Sequence, residues 1–308
     1  MSPSPLRLRL PATSANLGPG FDTLALALDV YLEIEASEAA DFSIRATGRG
    51  PEVCGSLERN LLLDVYRKTL AANDREAIPL ALHVNNGIPL SMGLGSSAAV
   101  RLAGVALAAH FGGLGWDRDR ILAEATSLEG HPDNAAACWL GGFVAGCWDG
   151  AKLRAVSFAA PAAWQALVVL PEKPLATSAS RTLLPSGYDR VDVVANLQRV
   201  AVLTAAFAAA RGDLLAEAMR DRMHQPYRSK ACPLLPRLLP LSGSHGILGV
   251  CLSGAGPAVL VLVDSSRPIE SVEARVRESV NGLSPVELLR CEFENRPAEM
   301  LPASLPHS

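Results

Sequence analysis

The run Glu129-Gly130-His131-Pro132-Asp133-Asn134 gathers four side chains able to donate, accept or carry charge within six positions. Packing gives little reason for that density; the plain alternative is a solvated turn built on Pro132-Asp133. Upstream, Pro89-Leu90-Ser91-Met92-Gly93-Leu94-Gly95-Ser96-Ser97-Ala98-Ala99 joins glycines and hydroxyls to a stretch whose residues 98, 102, 105, 106 and 109 share one helical face. Glycine, lacking a Cβ, lets backbone come close to a ligand. With Ser96 or Ser97 as cap, the first amides of such a helix and its dipole attract an anion, above all phosphate. A Gly-Ser loop capping an ordinary buried helix is the competing reading. A third polar segment, Ala12-Thr13-Ser14-Ala15-Asn16-Leu17-Gly18-Pro19-Gly20-Phe21-Asp22, is dense in turn formers. There Asn16 and Asp22 either project polar groups from a rigid frame or serve only an elaborate turn.

These segments need elements to hold them. Leu6-Arg7-Leu8-Arg9-Leu10 alternates as a half-buried strand ended by Pro11, and Leu24 to Ile34 reads as a second strand. Arg59 to Leu70 has the pattern of an amphipathic helix with Asn60 near its start, and Leu80 to Val84 that of a strand leading into the glycine loop. Asp117 is placed to cap a helix through Thr126. The second half offers a strand at Trp164 to Pro171 and a helix over Val193 to Arg211. Another helix starts at Gly212-Asp213 and runs to about Met223, stopped by Pro226. Strands Ile247 to Leu252 and Ala258 to Val263 flank a small-residue loop, Ser253-Gly254-Ala255-Gly256-Pro257. Beyond Asp264 the chain reads as a surface helix, a last strand and a Pro-containing tail.

The totals limit the function classes. With 308 residues the chain can bury a real core in one large or two medium domains. Its 28 Lys and Arg against 31 Asp and Glu leave no electrostatic footprint for nucleic acid or an anionic membrane. The N-terminus lacks the long apolar core of a secretory signal, and the alanine-rich runs are too short to span a bilayer. The six cysteines, at 54, 138, 147, 232, 251 and 291, have neither C-x-x-C nor zinc-like spacing, as expected of buried free thiols in a reducing cytoplasm.

Two familiar phosphate loops are excluded by spacing: no Lys follows Gly95, and Ala98 stands where a dinucleotide fingerprint needs glycine. The loop resembles instead the P-x-x-x-G-L-G-S-S-A-A phosphate loop of the GHMP small-molecule kinases. Pro11 to Asp22 resembles the N-terminal signature of the homoserine kinases in that family, with Ala25 where glycine is frequent. Glu129 to Asn134 matches their E-G-H-P-D-N, followed here by Ala135-Ala136-Ala137 in place of Val-Ala-Pro. Thr177 to Arg181 resembles a T-x-x-x-R element, and Asp221 to Arg228 a D-R-x-H-Q-P-Y-R string.

The resemblance implies an α+β fold with two domains, an N-terminal ribosomal-protein-S5-like one over 1–160 and a C-terminal ferredoxin-like one over 161–308. The active site would lie in the interdomain cleft. It implies transfer of the ATP γ-phosphoryl group to the side-chain hydroxyl of L-homoserine, a step toward threonine, with Mg²⁺, in the cytoplasm, and leaves a homodimer open. ATP would lie against Pro89, Gly93, Leu94, Gly95, Ser96, Ser97, Ala98 and Ala99, with Asn60 beside the base. Ser97 and Glu129 would hold the metal, with Glu124 as the fallback carboxylate. Asn16, Asp22, His131, Arg181 and Arg228 would bind the acceptor, the two arginines taking its carboxylate through their planar forks. Asp133 as base and Asn134 as positioner of the hydroxyl remain alternatives. A GHMP kinase with another small hydroxyl acceptor and a catalytically inactive nucleotide-binding homologue are the rival functions.

Overall fold

A computed structural model describes residues 3–174 and 180–302. Thr177, the first residue of the T-x-x-x-R element, lies outside the described residues. The first sheet is built on strands β1 (Leu6–Ala15) and β2 (Leu24–Glu38), paired antiparallel. Pro11 does not end β1 as expected. The register shifts between Pro11 and Ala12, and pairing resumes with Ala12 opposite Leu28. A proline has no N–H to give a ladder, and a bulge is where a strand tolerates that loss. The strand therefore carries Thr13 and the segment after it into the interior as rigid structure.

Strands β3 (Ser43–Gly48) and β4 (Leu80–Asn86) extend the sheet beyond β2. Strand β5 (Phe143–Trp148) also pairs with β2 and carries β6 (Leu153–Phe158). A one-turn helix α1 (Pro51–Cys54) precedes α2 (Leu61–Ala71). Helices α3 (Ser96–Phe111) and α5 (Asp133–Leu140) pack on β1 and β2, with α4 (Arg118–Glu129) against both. Asp117 caps α4 as expected, accepting the Arg120 N–H at 2.8 Å.

The second sheet has the order β10 (Val286–Cys291), β7 (Trp164–Pro171), β9 (Val259–Asp264), β8 (Ile247–Leu252), all antiparallel. Side chains alternate along β7, so its two faces serve two cores. Leu167 and Val169 pack with helices α9 (Leu234–Leu238) and α10 (Ile269–Ser279) in the smaller core. Ala166, Val168 and Leu170 join the main core, which includes Leu203 and Phe207 of α6 (Arg190–Ala208) and the inner face of the first sheet. The sheets change over between β6 and β7, near residue 160. A final strand, β11 (Glu299–Pro302), then returns to pair with β1 in the first sheet.

Several expected boundaries moved. The helix expected from Gly212 to Met223 is a 3₁₀ turn over Gly212–Leu214 followed by the short α7 (Leu215–Ala218). The Asp221 carboxylate then accepts the N–H groups of Met223, His224 and Gln225, which forces a turn where a helix would run on. Pro226 stops nothing: it sits in the first turn of α8 (Gln225–Arg228), where its missing N–H costs nothing. Of the six cysteines, all free, Cys147 is exposed and Cys54 half-buried, contrary to a wholly buried set. Among the described residues α6 is long and apolar enough to cross a membrane by length and composition. Its Asp192 and Arg199 are ion-paired to Arg222 and Glu217 of the segment that follows.

Strand β1 lies at the centre of the main core, and Leu10 within it is wholly buried. Leu10→Ala is expected to lower the unfolding free energy by about 2–5 kcal/mol, read as a shift of the urea midpoint at unchanged slope.

Candidate active site

Helix α3 begins one residue earlier than a serine cap requires. Gly95 is the N-cap, in the left-handed region at φ 70°, and no side chain caps the helix. Ser96 and Ser97 are its first two residues, so the expected serine cap is not formed and both hydroxyls are left for other partners. The first helical hydrogen bond runs from the Ala99 N–H to the Gly95 carbonyl at 3.0 Å, so the amides of Ser96, Ser97 and Ala98 precede it. A Cβ on Gly95 would stand 2.0 Å from Thr13 Oγ1 and 3.0 Å from Asn134 Oδ1, so no other residue fits between these neighbours.

The polar loops are bonded to one another. The Thr13 N–H donates to the Leu94 carbonyl at 3.1 Å, and the Thr13 hydroxyl to Asn134 Oδ1 at 2.7 Å. From the second half, Ser253 Oγ donates to the Gly93 carbonyl at 2.7 Å, and the Gly254 N–H to the Ala15 carbonyl at 3.0 Å. Asn16 Nδ2 reaches the Gly254 carbonyl at 2.8 Å while its Oδ1 accepts the Asp22 N–H at 3.0 Å. Between these loops is a cavity of about 370 Å³ bearing Asn16, Asp22, Gly93, Gly95, Ser96, Ser97, Ala98, Glu129, His131, Asp133, Asn134, Arg181 and Arg228.

The E-G-H-P-D-N run lies at the junction of α4 and α5, turned by Gly130 at φ 81°. Glu129 Oε1 accepts the Ser97 hydroxyl at 3.0 Å, and Arg101 Nη1 contacts both groups, Glu129 at 2.5 Å. His131 Nδ1 lies 2.6 Å from Asp133 Oδ1. That oxygen also accepts the Asn134 N–H at 2.8 Å, and Asp133 is only 1% exposed. The Asp133 carboxylate is thus engaged from behind by its own neighbours. At the other end, Arg181 Nη2 pairs with Asp22 Oδ1 at 2.6 Å. Arg228 is buried at 1% exposure. Its guanidinium meets His224 Nδ1 at 3.1 Å and, distantly, the Ser180 and Gly254 carbonyls at 3.5 Å, none of them anionic. Both arginines also lie over the Phe21 ring.

The sequence model of the GHMP kinases N-terminal domain matches residues 60–142, and that of the GHMP kinases C-terminal region residues 203–282. A homoserine kinase of Solibacter usitatus is 44% identical over 299 residues, 95% of this chain and 96% of that one. One of Moorella thermoacetica is 38% identical, with coverages of 85% and 88%. The chain belongs to the homoserine kinases of the GHMP family. The crystal structure of the Cytophaga hutchinsonii homoserine kinase superposes with a TM-score of 0.79 at 24% identity, over 97% of this chain and 98% of that one, so the two-domain GHMP kinase fold is shared.

Within this GHMP kinase not every expected ligand residue faces the cleft. The side chains of Leu94 and Ala99 are buried in the main core, leaving only their backbone for a ligand, and Pro89 lines a separate cavity beside Arg49 and Glu287. Asn60 caps α2, its Oδ1 accepting from the Leu62 and Leu63 amides while its Nδ2 holds the Cys54 and Ser56 carbonyls. It also lines an apolar cavity of about 260 Å³ that shares Ser91, Ser96 and Ser97 with the cleft. Glu124 is paired to Arg120 away from the cleft, whereas Glu129 is in it. Sequence reading passed over Thr13, Phe21, Arg101 and His224. Three of these stand inside quoted motifs without an assigned part, and Arg101 follows the phosphate loop by two positions. Ser97 Oγ and Glu129 Oε1 fit Mg²⁺: their 3.0 Å separation suits adjacent vertices of an octahedron, about 3 Å apart for metal–oxygen bonds of roughly 2.0–2.1 Å.

Two histidines of the site respond to pH in opposite senses. Burial pulls His131 down, but Asp133, helped by Asp22 and Glu129, reverses this and holds it above its ordinary value. Its contribution to stability is complete below about pH 6.5 and is lost as pH rises through the raised folded value. His224 is wholly buried, and burial with the Arg228 charge keeps it below its ordinary value despite Asp221. Below about pH 6.5 the unfolded chain takes up a proton that folded His224 refuses, so stability falls. Urea-unfolding free energy is therefore expected to peak near the ordinary imidazole value, with Asp133→Asn flattening the alkaline limb and His224→Gln the acid one. Gly95→Ala should displace Thr13 and Asn134 and lower kcat/KM for ATP by about 100-fold or more, measured in a coupled kinase assay.

Proposed function

We propose that the cleft transfers the γ-phosphoryl group of ATP to the side-chain hydroxyl of L-homoserine, giving ADP and O-phospho-L-homoserine. The triphosphate would lie on the amides of Ser96, Ser97 and Ala98 at the head of α3, where free N–H groups and the helix dipole favour anions. Its base would occupy the apolar cavity beside Asn60, whose amide serves chiefly to cap α2. Ser97 and Glu129 would hold Mg²⁺, which when bound neutralises charge on the β- and γ-phosphate oxygens.

The acceptor end carries the assignment to an amino acid. Among the described residues buried Arg228 makes no ion pair, Asp22 and Asp221 acting on it only from a distance, and a charge taken out of water needs a direct partner. The carboxylate of a substrate supplies it. The Asp22–Arg181 pair beside it is opened by a zwitterion, whose ammonium goes to Asp22 and whose carboxylate spans Arg181 and Arg228. Asn16 would support Asp22, whose amide it already holds.

The hydroxyl oxygen forms the new bond to phosphorus as the bond from γ-phosphorus to the β–γ bridging oxygen breaks, its electron pair leaving with ADP and the hydroxyl proton passing to an oxygen of the transferred phosphoryl group. Phosphoryl transfer through a loose transition state asks for alignment more than for a strong base. Asp133, buried and already accepting from His131 and Asn134, fits the part of orienting those two side chains better than that of taking the proton. His131 would offer its other nitrogen to the acceptor, and Asn134, whose Oδ1 is held by the Thr13 hydroxyl, would align the acceptor's hydroxyl.

Steady-state assay with L-homoserine tests the proposal. Turnover with mevalonate or a sugar but none with L-homoserine would overturn it, as would ATP binding with no phosphorylated product. Arg228→Lys keeps the charge but loses the planar fork. The loss of one charge-assisted hydrogen bond, about 1.5–3 kcal/mol, is expected to cut kcat/KM for L-homoserine roughly 10- to 100-fold while the KM for ATP stays near its original value.

A further inference from the structure

Ser97, Arg101 and Glu129 form a compact triad at the mouth of α3. Arg101 follows Ser97 by four residues, so the two side chains share a helix face. One nitrogen, Arg101 Nη1, contacts the Ser97 hydroxyl and lies 2.5 Å from Glu129 Oε1, the same two oxygens that stand 3.0 Å apart. It thus occupies the point from which a single cation reaches both oxygens. Glu129 is 12% exposed and Arg101 24%, in the cleft shared with Ser96 and Ala98. Among the described residues, the other charged contact of Glu129 is His131 Nε2, at 3.9 Å.

A guanidinium does not shed its charge and has no lone pair to offer a metal. Arg101 and a divalent cation therefore exclude each other at Ser97 and Glu129. The side chain leaves by rotating, and an anion at the amides of Ser96 to Ala98 is where it finds a new partner. Resting on the reading of Ser97 and Glu129 as metal ligands, we propose that Arg101 is a positioning residue that makes metal and nucleotide binding interdependent. It holds the two oxygens when the nucleotide is away. When the triphosphate arrives, Arg101 turns onto a phosphate oxygen, and Ser97 and Glu129 are released to Mg²⁺. Reciprocity follows: whatever the nucleotide gains from displacing the guanidinium, the metal gains from the nucleotide.

Mn²⁺ titration of the nucleotide-free protein, followed by the loss of the free-Mn²⁺ electron paramagnetic resonance signal, tests this without turnover. Arg101→Met, close in size and uncharged, is expected to bind Mn²⁺ about tenfold more tightly or better, and Arg101→Lys to stay near wild type. Adding Glu129→Gln to Arg101→Met should erase the gain. In EDTA, Arg101→Met should bind ADP about tenfold more weakly than wild type. Unchanged Mn²⁺ and ADP affinities in a normally folded Arg101→Met protein would overturn the role of Arg101 and leave the metal reading standing. A gain in Mn²⁺ affinity that survives Glu129→Gln would overturn both, because the ion would then be bound elsewhere.

Discussion

The site depends on hydrogen bonds to main-chain carbonyls that tie the phosphate loop to strand β1 and to the loop after β8. The carbonyls of Met92, Gly93 and Leu94 accept in turn from the Ala258 N–H, the Ser253 hydroxyl and the Thr13 N–H. These bonds use the outward side of the phosphate loop and leave the opposite amides at the head of α3 facing the cleft. Backbone contacts of this kind hold a loop more strictly than side chains do, because moving one partner strips several buried groups at once. The close approach also explains the glycines. A Cβ on Gly93 would lie 2.2 Å from the Ser253 carbonyl, so the loop after β8 comes this close to the phosphate loop only because Gly93 has no side chain.

Element identity was largely legible in the sequence. Alternation in β1 and β7 and helical periodicity in α2 and α3 follow directly from which faces are buried. What was not legible came from competition between local and tertiary terms. Pro11 marks a strand end by propensity, yet pairing with β2 carries the strand through it by means of a bulge. Pro226 marks a helix stop, yet the Asp221 carboxylate starts a new helix just before it. The return of β11 to β1 joins residues nearly three hundred positions apart, and no local pattern announces it.

The cleft itself was legible as a set of residues but not as an arrangement. Ser97, Glu129, His131, Asp22, Arg181 and Arg228 all meet there, although they come from five separate segments. The order of the contacts could not be read from spacing. Adjacency in sequence makes Asp133 and His131 look equally exposed to chemistry, whereas the turn into α5 buries the carboxylate behind the ring. Likewise Asn60 stands where a nucleotide contact is expected, and its polar atoms are spent on the end of α2 and the turn before it.

The charges of the cleft are unequally satisfied, and that inequality separates its two ends. At the end where α3 begins, the Glu129 carboxylate has Arg101, and the helix dipole contributes its own positive end. At the acceptor end Asp22 is matched by Arg181, leaving the guanidinium of Arg228 in excess. An amino acid brings one negative and one positive group, so it can neutralise Arg228 with its carboxylate while its ammonium replaces the share of Asp22 that Arg181 gives up. A sugar or a polyol brings neither and would leave the buried charge where it was. If Arg228 binds the acceptor as proposed, neutral acceptors would be disfavoured by the desolvated arginine itself, before any question of shape arises.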